Sequence, residues 1–431
     1  MIMILILTLG LIILLLIGLP VAMALALSAL GAAISSGVIL PFSALSQKMQ
    51  FGLQNFILLG IPLFILTAKI MNNSGITEKI FNFANTLVGF LPGGLAHANI
   101  VASLIFSGMS GAAVCDAAGL GQIELAAMSK NGYPRGFSVA VTAASSLIGP
   151  IFPPSIPLVV YSFVSNTSVG RLFLGGVIPG VVMAGTLMVM VFFYVKKYNL
   201  PHEPFPTFAI VLRSFIKSFL PLLTPVILLG GMWGGIFTPT EAAAVAVSYA
   251  IIISFLVLRN ISLKDFIYIL IETAKETAVL MFLVTGATLY GWVISRAGMI
   301  IKVTEWLTSI SQNPLCIMLL ITLLLLLIGC FMDPVVVILI LGPPLMGVIE
   351  KVGIDPIHFG LVMVLTLMIG LLTPPYGEVL FVMAKVSGLK YEEVVKSTFP
   401  FLAPLIVVLI MIIIFPELVT ALPNLIMGKI K

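Results

Sequence analysis

Two short stretches carry the most structural information in this sequence, IGPIFPPS at 148–155 and IGLLTPPYG at 369–377. Each contains a Pro-Pro pair, which removes two backbone donors and prevents a helix from continuing. Inside a lipid bilayer, the carbonyl groups freed in this way each cost several kcal/mol if they face lipid. Such breaks therefore survive only when they are buried in protein or line a wet cavity. One pair alone could be a packing kink, but two pairs that both follow an Ile-Gly favour a binding role.

The composition places these breaks in a membrane. Of the 431 residues, 60% are hydrophobic and only 9% are charged, and the first formally charged side chain is Lys48. A soluble domain carries roughly 25% charged residues, so most of this surface cannot face water. These numbers predict an all-α polytopic membrane protein. They exclude a soluble enzyme, a nucleic-acid binder, a disordered chain and a secreted disulfide scaffold.

The two halves of the chain repeat each other at an offset of about 221 residues. Gly149 matches Gly370, and Pro153-Pro154 matches Pro374-Pro375. We expect a first repeat over 1–200, with a hairpin near 94–128 and a break at 150–157. A linker over 201–217 separates it from a second repeat over 218–431, with a hairpin near 314–349 and a break at 370–377.

Loop charges predict how the repeats are oriented. The loop at 130–135 is purely basic, whereas its counterpart at 350–358 contains both signs of charge. Because cytoplasmic loops retain Lys and Arg, the first loop and the 201–217 linker are expected in the cytoplasm. The second loop is expected on the opposite side, so the repeats are predicted to be inverted.

Polar groups near the breaks are the candidate ion ligands. Carbonyls at a half-helix C-terminus can coordinate Na⁺, and a half-helix N-terminus can hold an anion. Three acids, Asp116, Asp333 and Glu241, lie in apolar stretches, where charge is expensive. For Asp116 and Asp333, ion or proton coupling and structural hydrogen bonding remain open. Glu241 is better explained as a helix cap. Small residues around 107–111 could instead mark a close helix contact.

Other chemistries lack their motifs. The chain has no GxxxxGK[ST] run for ATP, and no GxSxG elbow for a nucleophile. Its three histidines are far apart, so no transition-metal site is expected. We therefore predict neither an enzyme nor a cofactor, with Na⁺ as the only metal ion.

These features together resemble the large membrane subunit of the tripartite ATP-independent periplasmic (TRAP) transporters. The most specific matches are GIFTPTEAAA at 235–244, GIDPIHFG at 353–360 and LTPPYG at 372–377. The run at 107–116 and PPSIP at 153–157 add support. The resemblance extends over essentially the whole chain.

The resemblance implies a Na⁺-driven importer of organic acids in the bacterial inner membrane. Such a subunit works with a periplasmic substrate-binding protein and a small four-helix membrane subunit, expected here as a separate chain. The implied fold has two inverted repeats with about 11–12 transmembrane helices, two re-entrant hairpins, and scaffold and transport domains that move as an elevator. The hairpins would be centred on 103–116 and around 329–334, with the breaks facing their tips.

The candidate residues follow from the hairpins and breaks. Candidates for Na⁺ binding or coupling are Ser103, Ser107, Gly108, Ser110, Asp116, Ser145, Gly149, Pro153, Gly329, Asp333, Gly370, Thr373 and Pro374. Candidates for substrate binding are Ser107, Ser110, Pro154, Ser155, Thr373, Pro375 and Tyr376.

The substrate class stays open between dicarboxylates, sialic acids and other sugar acids. Neither broken-helix region contains an arginine, so helix ends and hydroxyl groups are expected to hold the carboxylate, with Arg171 or Arg296 as possible contributors. The alternative functions are a Na⁺/divalent-anion symporter that needs no binding protein and a passive channel.

Overall fold

The structure is a computed structural model, and it describes residues 2–35, 42–198 and 200–429. In this part of the chain all the regular structure is helical, as the composition predicts. The first half contains the helices α1 (Ile2–Leu16), α2 (Val21–Ser35), α3 (Phe42–Leu53), α4 (Gly60–Asn73), α5 (Ile76–Val88), α6 (Gly94–Ser110), α7 (Ala113–Ala118), α8 (Leu120–Lys130), α9 (Arg135–Ser145), α10 (Ile156–Ser165) and α11 (Val169–Tyr198).

The second half follows a non-helical linker. It contains α12 (Phe208–Trp233), α13 (Pro239–Ile252), α14 (Leu263–Arg296), α15 (Met299–Ile310), α16 (Pro314–Gly329), α17 (Pro334–Val352), α18 (Pro356–Gly370), α19 (Glu378–Ser387), α20 (Tyr391–Thr398), α21 (Leu402–Ile414) and α22 (Glu417–Met427). One π-helical segment, Ile253–Leu258, extends α13.

The described residues include seven helices that are long and apolar enough to cross a membrane. The longest, α14, has 34 residues, which is about 50 Å at 1.5 Å per residue. Seven shorter apolar helices of 10–17 residues accompany them. The chain is therefore a multi-pass membrane protein, and the number of crossings made by the shorter helices stays a prediction.

Each half contains one helical hairpin followed by one interrupted helix. In the first half, α6 turns back at Gly111 into α7 and α8, and α9 is separated from α10 by residues 149–155. In the second half, α16 turns back through 330–333 into α17, and α18 is separated from α19 by residues 371–377. Both Pro-Pro peptide bonds in the two breaks are cis. The predicted bounds of the repeats, hairpins, breaks and linker stay predictions.

Glu241 has the capping role that the sequence favours. The Glu241 N–H donates to Thr238 Oγ1 at 3.4 Å, and the Thr238 N–H donates to Glu241 Oε2 at 2.8 Å. This reciprocal pair is a capping box, which satisfies two backbone donors at the start of α13. The Glu241 carboxylate is therefore occupied in capping a helix.

Helices from the two halves pack against each other around the breaks. The long helix α14 contacts α2, α3 and α4 of the first half and α17 of the second. Helix α10, which follows the first break, packs on α17, and α9, which precedes it, packs on α20. The helices on both sides of the first break therefore pack against helices of the second half.

Candidate transport site

The tip of the first hairpin lies against the first break. Gly111 ends α6 with a φ of 67°, and its carbonyl accepts a hydrogen bond from the Ile156 N–H at 3.2 Å. A Cβ atom at Gly111 would lie 2.7 Å from the carbonyl oxygen of Pro154. Only glycine allows both the left-handed backbone and this close approach. The predicted residue Pro154 therefore contacts the hairpin tip through its backbone.

Asp116 lies beside this contact. The Ser110 hydroxyl donates to Asp116 Oδ1, while Asp116 Oδ2 is buried and has no protein partner among the described residues. A Cβ atom at Gly149 would lie 2.4 Å from Oδ2, so glycine is required there to leave room for the carboxylate. The structure thus brings together three predicted residues: Ser110 at the hairpin tip, Asp116 on one hairpin arm and Gly149 in the break. The Asp116 Oδ2 atom is available to a further ligand.

A second polar cluster joins the hairpin to the helix before the break. Ser103 donates to Ser145 at 3.1 Å between the hydroxyl oxygens, and Ser145 donates to Asn99 Oδ1 at 2.7 Å. The Asn99 side-chain amide donates to Thr142 Oγ1 at 2.7 Å. Ser103 and Ser145 were predicted, whereas Asn99 and Thr142 were not. Their spacing was the available signal, since 99 and 103 share a helix face, as do 142 and 145.

Two other first-hairpin candidates have structural partners. The Ser107 hydroxyl donates to the carbonyl of Leu104, in its own helix, at 2.7 Å. A Cβ atom at Gly108 would lie 2.6 Å from the Pro225 side chain, so Gly108 allows α6 to approach α12 closely. For Gly108 the geometry favours the close helix contact that the sequence left open.

Ser155 closes the first break from its far side. Its hydroxyl accepts from the Leu158 N–H at 3.2 Å, as an N-cap of α10, and donates to the carbonyl of Pro150. Pro153 lies between these partners in the same loop. The Ser155 side chain therefore holds the loop shape in this structure.

The second hairpin meets the second break through glycine. A Cβ atom at Gly370 would lie 2.5 Å from the backbone carbon of Gly329, so the two helix ends touch backbone to backbone. Asp333 caps α17, with its Oδ1 accepting from the N–H groups of Val335 at 2.8 Å and Val336 at 3.3 Å. The Thr373 hydroxyl donates to the carbonyl of Ile369 at 2.8 Å, and Pro374 follows it in the break.

A cavity of about 420 Å³ lies between these elements. Residues on both hairpins, on both broken helices and on α14 form its walls. Its polar lining consists of Lys275, Glu276, Asp333 and Glu378, and its apolar lining includes Ala112, Ala113, Pro150, Ile156, Pro334, Met368 and Leu371. Its size is within the range of small-molecule sites.

The cavity wall agrees only partly with the predicted residues. Among the described residues, Asp333 is the predicted candidate that lines this cavity. Tyr376 lines an adjacent cavity of about 800 Å³. Glu378 and Asp333 line both cavities. The other substrate candidates are not among the residues that line this cavity: Ser107, Ser110, Pro154, Ser155, Thr373 and Pro375.

Lys275 is the positively charged side chain among the described residues that line the cavity. It forms an ion pair with Glu272 at 2.8 Å, and the neighbouring Glu276 pairs with Lys69 of α4 at 2.7 Å. Sequence reasoning missed Lys275 and Glu276. The available signal was their place directly before the charge-free run at 277–295.

The two arginines expected as contributors lie elsewhere. Arg171 donates to the backbone carbonyls of Met427 at 3.1 Å and Gly428 at 2.7 Å. The Arg296 guanidinium lies 5.3 Å from the ring centre of Trp292. Neither side chain lines the cavity in the described structure, because each is held by a partner near a helix end.

The family pattern described as "Tripartite ATP-independent periplasmic transporter, DctM component" matches residues 8–418 of this chain. The chain belongs to this family. This confirms the relationship that the sequence motifs indicate, and it makes the chain a TRAP large permease.

Individual TRAP relatives are similar over most of the chain. The large permease protein of the sialic acid TRAP transporter of Vibrio cholerae is 46% identical over 89% of this chain and 90% of its own length. The permease protein of the Haemophilus influenzae sialic acid TRAP transporter is 41% identical over 89% of this chain and 62% of its own length. The C4-dicarboxylate TRAP large permease of Pseudomonas aeruginosa is 37% identical over 88% of this chain and 89% of its own length.

A solved structure supports the fold of this TRAP permease independently. The crystal structure of the Alcanivorax borkumensis YdaH transporter superimposes with a TM-score of 0.58, covering 83% of this chain and 85% of that one, at 14% identity. At this identity the similarity concerns the fold alone. The chain therefore shares the fold of that protein over most of its length.

Proposed function

We propose that this TRAP permease is the subunit of a Na⁺-coupled importer that moves an organic acid across the bacterial inner membrane. The observation that carries the proposal is the cavity of about 420 Å³ between the two hairpins, the two breaks and α14. A site at the junction of duplicated broken helices is the arrangement that secondary transporters use for substrate and coupling ion.

The charges around the cavity support coupling to a cation. Three carboxylates and one ammonium group line it, from Glu276, Asp333, Glu378 and Lys275. An organic anion entering this cavity would meet a formal excess of negative charge. Like charges in a low-dielectric site repel strongly, so bound cations would favour binding of the anion. Na⁺ would serve this role.

Two places could hold these ions. At the first, Asp116 Oδ2 faces the backbone of Gly149 without a protein partner among the described residues. At the second, the carbonyl end of α18 around Gly370 meets the end of α16 at Gly329. Helix C-termini expose carbonyl oxygens, which are the ligands that a hard cation prefers. We propose one Na⁺ at each place.

We further propose an elevator motion. The hairpins and broken helices would move together as the transport domain, against a scaffold that includes α14. The position of Lys275 supports this division, because it contributes to the cavity from the long helix while Asp333 contributes from a hairpin. On this proposal, Lys275 meets the substrate carboxylate when the two domains are in the alignment seen here.

The relatives suggest the substrate and partners to test first. The two sialic acid permeases are 46% and 41% identical, against 37% for the C4-dicarboxylate permease of Pseudomonas aeruginosa. We propose that the substrate is a sialic acid, and we rank a C4-dicarboxylate second among the substrates to test. We also propose that a small membrane subunit and a periplasmic binding protein complete the system.

Reconstitution tests this assignment. The chain and its small subunit are placed in proteoliposomes, and uptake of labelled sialic acid and of a labelled C4-dicarboxylate is measured with and without the binding protein. We expect uptake of one of the two only when all components are present. Uptake without a binding protein would support the divalent-anion symporter alternative instead, and transport that never exceeds the outside concentration would support a channel.

A further inference from the structure

A second, polar cavity lies at the base of the first hairpin. It measures about 340 Å³ and lies between α8, α9 and the end of α19. Its polar lining includes Gln122, Ser129, Arg135, Ser138 and Ser387. It shares no lining residue with the transport cavity, so it is a separate site.

Every free polar side chain of this cavity can donate hydrogen bonds. Arg135 is exposed, and in the described structure no ion pair or hydrogen bond engages its guanidinium. The side chains of Gln122 and Ser129 are also exposed. A guanidinium presents five N–H donors and no acceptor. No carboxylate is among the lining residues, so the cavity suits an anion.

The remaining polar groups are already engaged as donors. The Ser138 hydroxyl donates to the carbonyl of Pro134 at 3.2 Å, and the Ser387 hydroxyl donates to the carbonyl of Met383 at 2.6 Å. Burial raises the pKa of Tyr133 to about 12, and its protonated hydroxyl donates to the carbonyl of Pro201 at 3.1 Å. These bonds fix the walls and leave the Arg135 guanidinium and the Gln122 amide free to bind a ligand.

The cavity lies where several helices end. Helix α8 ends at Lys130, α9 begins at Arg135, α19 ends at Ser387 and α20 begins at Tyr391. The ends of membrane helices lie near the boundary between hydrocarbon and water. Lipid phosphates lie at this depth, and basic pockets between helices there bind anionic headgroups. Arginine matches phosphate oxygens through its planar fork of donors.

We propose that this cavity binds a phosphate group, with Arg135 as its main ligand and Gln122 and Ser129 as further donors. The phosphate belongs to an anionic lipid headgroup or is free in solution. Bound there, it bridges α8 of the first hairpin and the start of α9. This proposal does not depend on which substrate is transported or on Na⁺ coupling.

The full chain, purified in detergent, tests the proposal with two probes. Native mass spectrometry measures retention of added phosphatidylglycerol against phosphatidylcholine. Thermal unfolding is measured with inorganic phosphate against chloride at equal ionic strength. The variants are Arg135→Gln, Arg135→Lys and Gln122→Ala. The matched control is Lys130→Gln, since Lys130 is a nearby cation at the end of α8 and lies outside the cavity lining.

We expect Arg135→Gln to weaken binding of the responding probe at least about tenfold, as loss of a charge-assisted hydrogen bond predicts. Arg135→Lys retains part of the binding, Gln122→Ala weakens it less, and Lys130→Gln leaves it unchanged. A response to phosphatidylglycerol alone identifies a lipid headgroup, and a response to inorganic phosphate alone identifies a soluble ligand. Binding of neither probe would overturn the proposal. Equal binding by the wild type, Arg135→Gln and Gln122→Ala would overturn it as well.

Discussion

The contact between the first hairpin tip and the first break can be tested by adding a single methyl group. In Gly111→Ala, the new Cβ would lie 2.7 Å from the Pro154 carbonyl oxygen and 3.3 Å from the Ile156 nitrogen. Both are backbone atoms, so neither can rotate away. The substitution also forces alanine into a left-handed backbone with a φ of 67°, and the tip must then move off the break.

A matched variant separates the two effects. Gly132 has a φ of 76°, but no atom lies within 4 Å of the position that a Cβ would take there, so Gly132→Ala carries only the backbone cost of about 1–2 kcal/mol. Gly111→Ala adds overpacking against rigid atoms, about 1–3 kcal/mol. The intact hairpin–break contact should therefore be roughly 5- to 150-fold less favoured in Gly111→Ala than in Gly132→Ala.

The assay compares the two variants directly. Thermal unfolding in detergent and initial uptake in proteoliposomes are measured for both proteins and for the wild type. We expect Gly111→Ala to unfold at a lower temperature than Gly132→Ala and to transport more slowly. Equal melting temperatures together with equal uptake would refute the reasoning, because the hairpin tip would then not need to touch the break.

Three further substitutions test other parts of the site. Asp116→Asn keeps the shape but removes the charge of the free oxygen, so the Na⁺ concentration for half-maximal uptake should rise about tenfold or more; an unchanged Na⁺ dependence at normal rate would remove Asp116 from coupling. Lys275→Met should raise the substrate KM about tenfold with partial recovery in Lys275→Arg, and a KM equal to that of the wild type would exclude contact with the carboxylate. Ser145→Ala leaves Asn99 Oδ1 without its donor, so the free energy of unfolding should fall by about 1–3 kcal/mol and the melting temperature should fall with it. The control Ser248→Ala changes an exposed hydroxyl and should leave the melting temperature unchanged. Equal melting temperatures for the two variants would contradict this.

The local features of the fold could be predicted because proline and glycine act on the backbone at their own positions. A Pro-Pro pair stops a helix wherever it occurs, and a Gly such as Gly111 marks a turn in a way that needs no knowledge of distant partners. Gly149 and Asp116 were separate candidates in the sequence, and the structure is what brings them together.

The cavity wall could not be predicted in the same way. Lys275 and Glu378 face one space because helices far apart in the chain pack together, and no local pattern encodes that packing. Gly108 lies in a Ser/Gly-rich run that favoured a binding role, yet in the structure it allows α6 to pack closely against Pro225 of α12. Which face of an apolar helix meets a neighbour depends on tertiary packing, since apolar residues surround such a helix on all sides.

Uphill uptake under an imposed ion gradient tests most directly whether this permease couples transport to Na⁺. Proteoliposomes that contain the permease, the small subunit and the loaded binding protein are diluted into Na⁺ or into K⁺ at equal ionic strength. We expect accumulation of the organic acid above its outside concentration with an inward Na⁺ gradient, and its loss when an ionophore dissipates that gradient. Accumulation that is the same in K⁺ as in Na⁺ would contradict it.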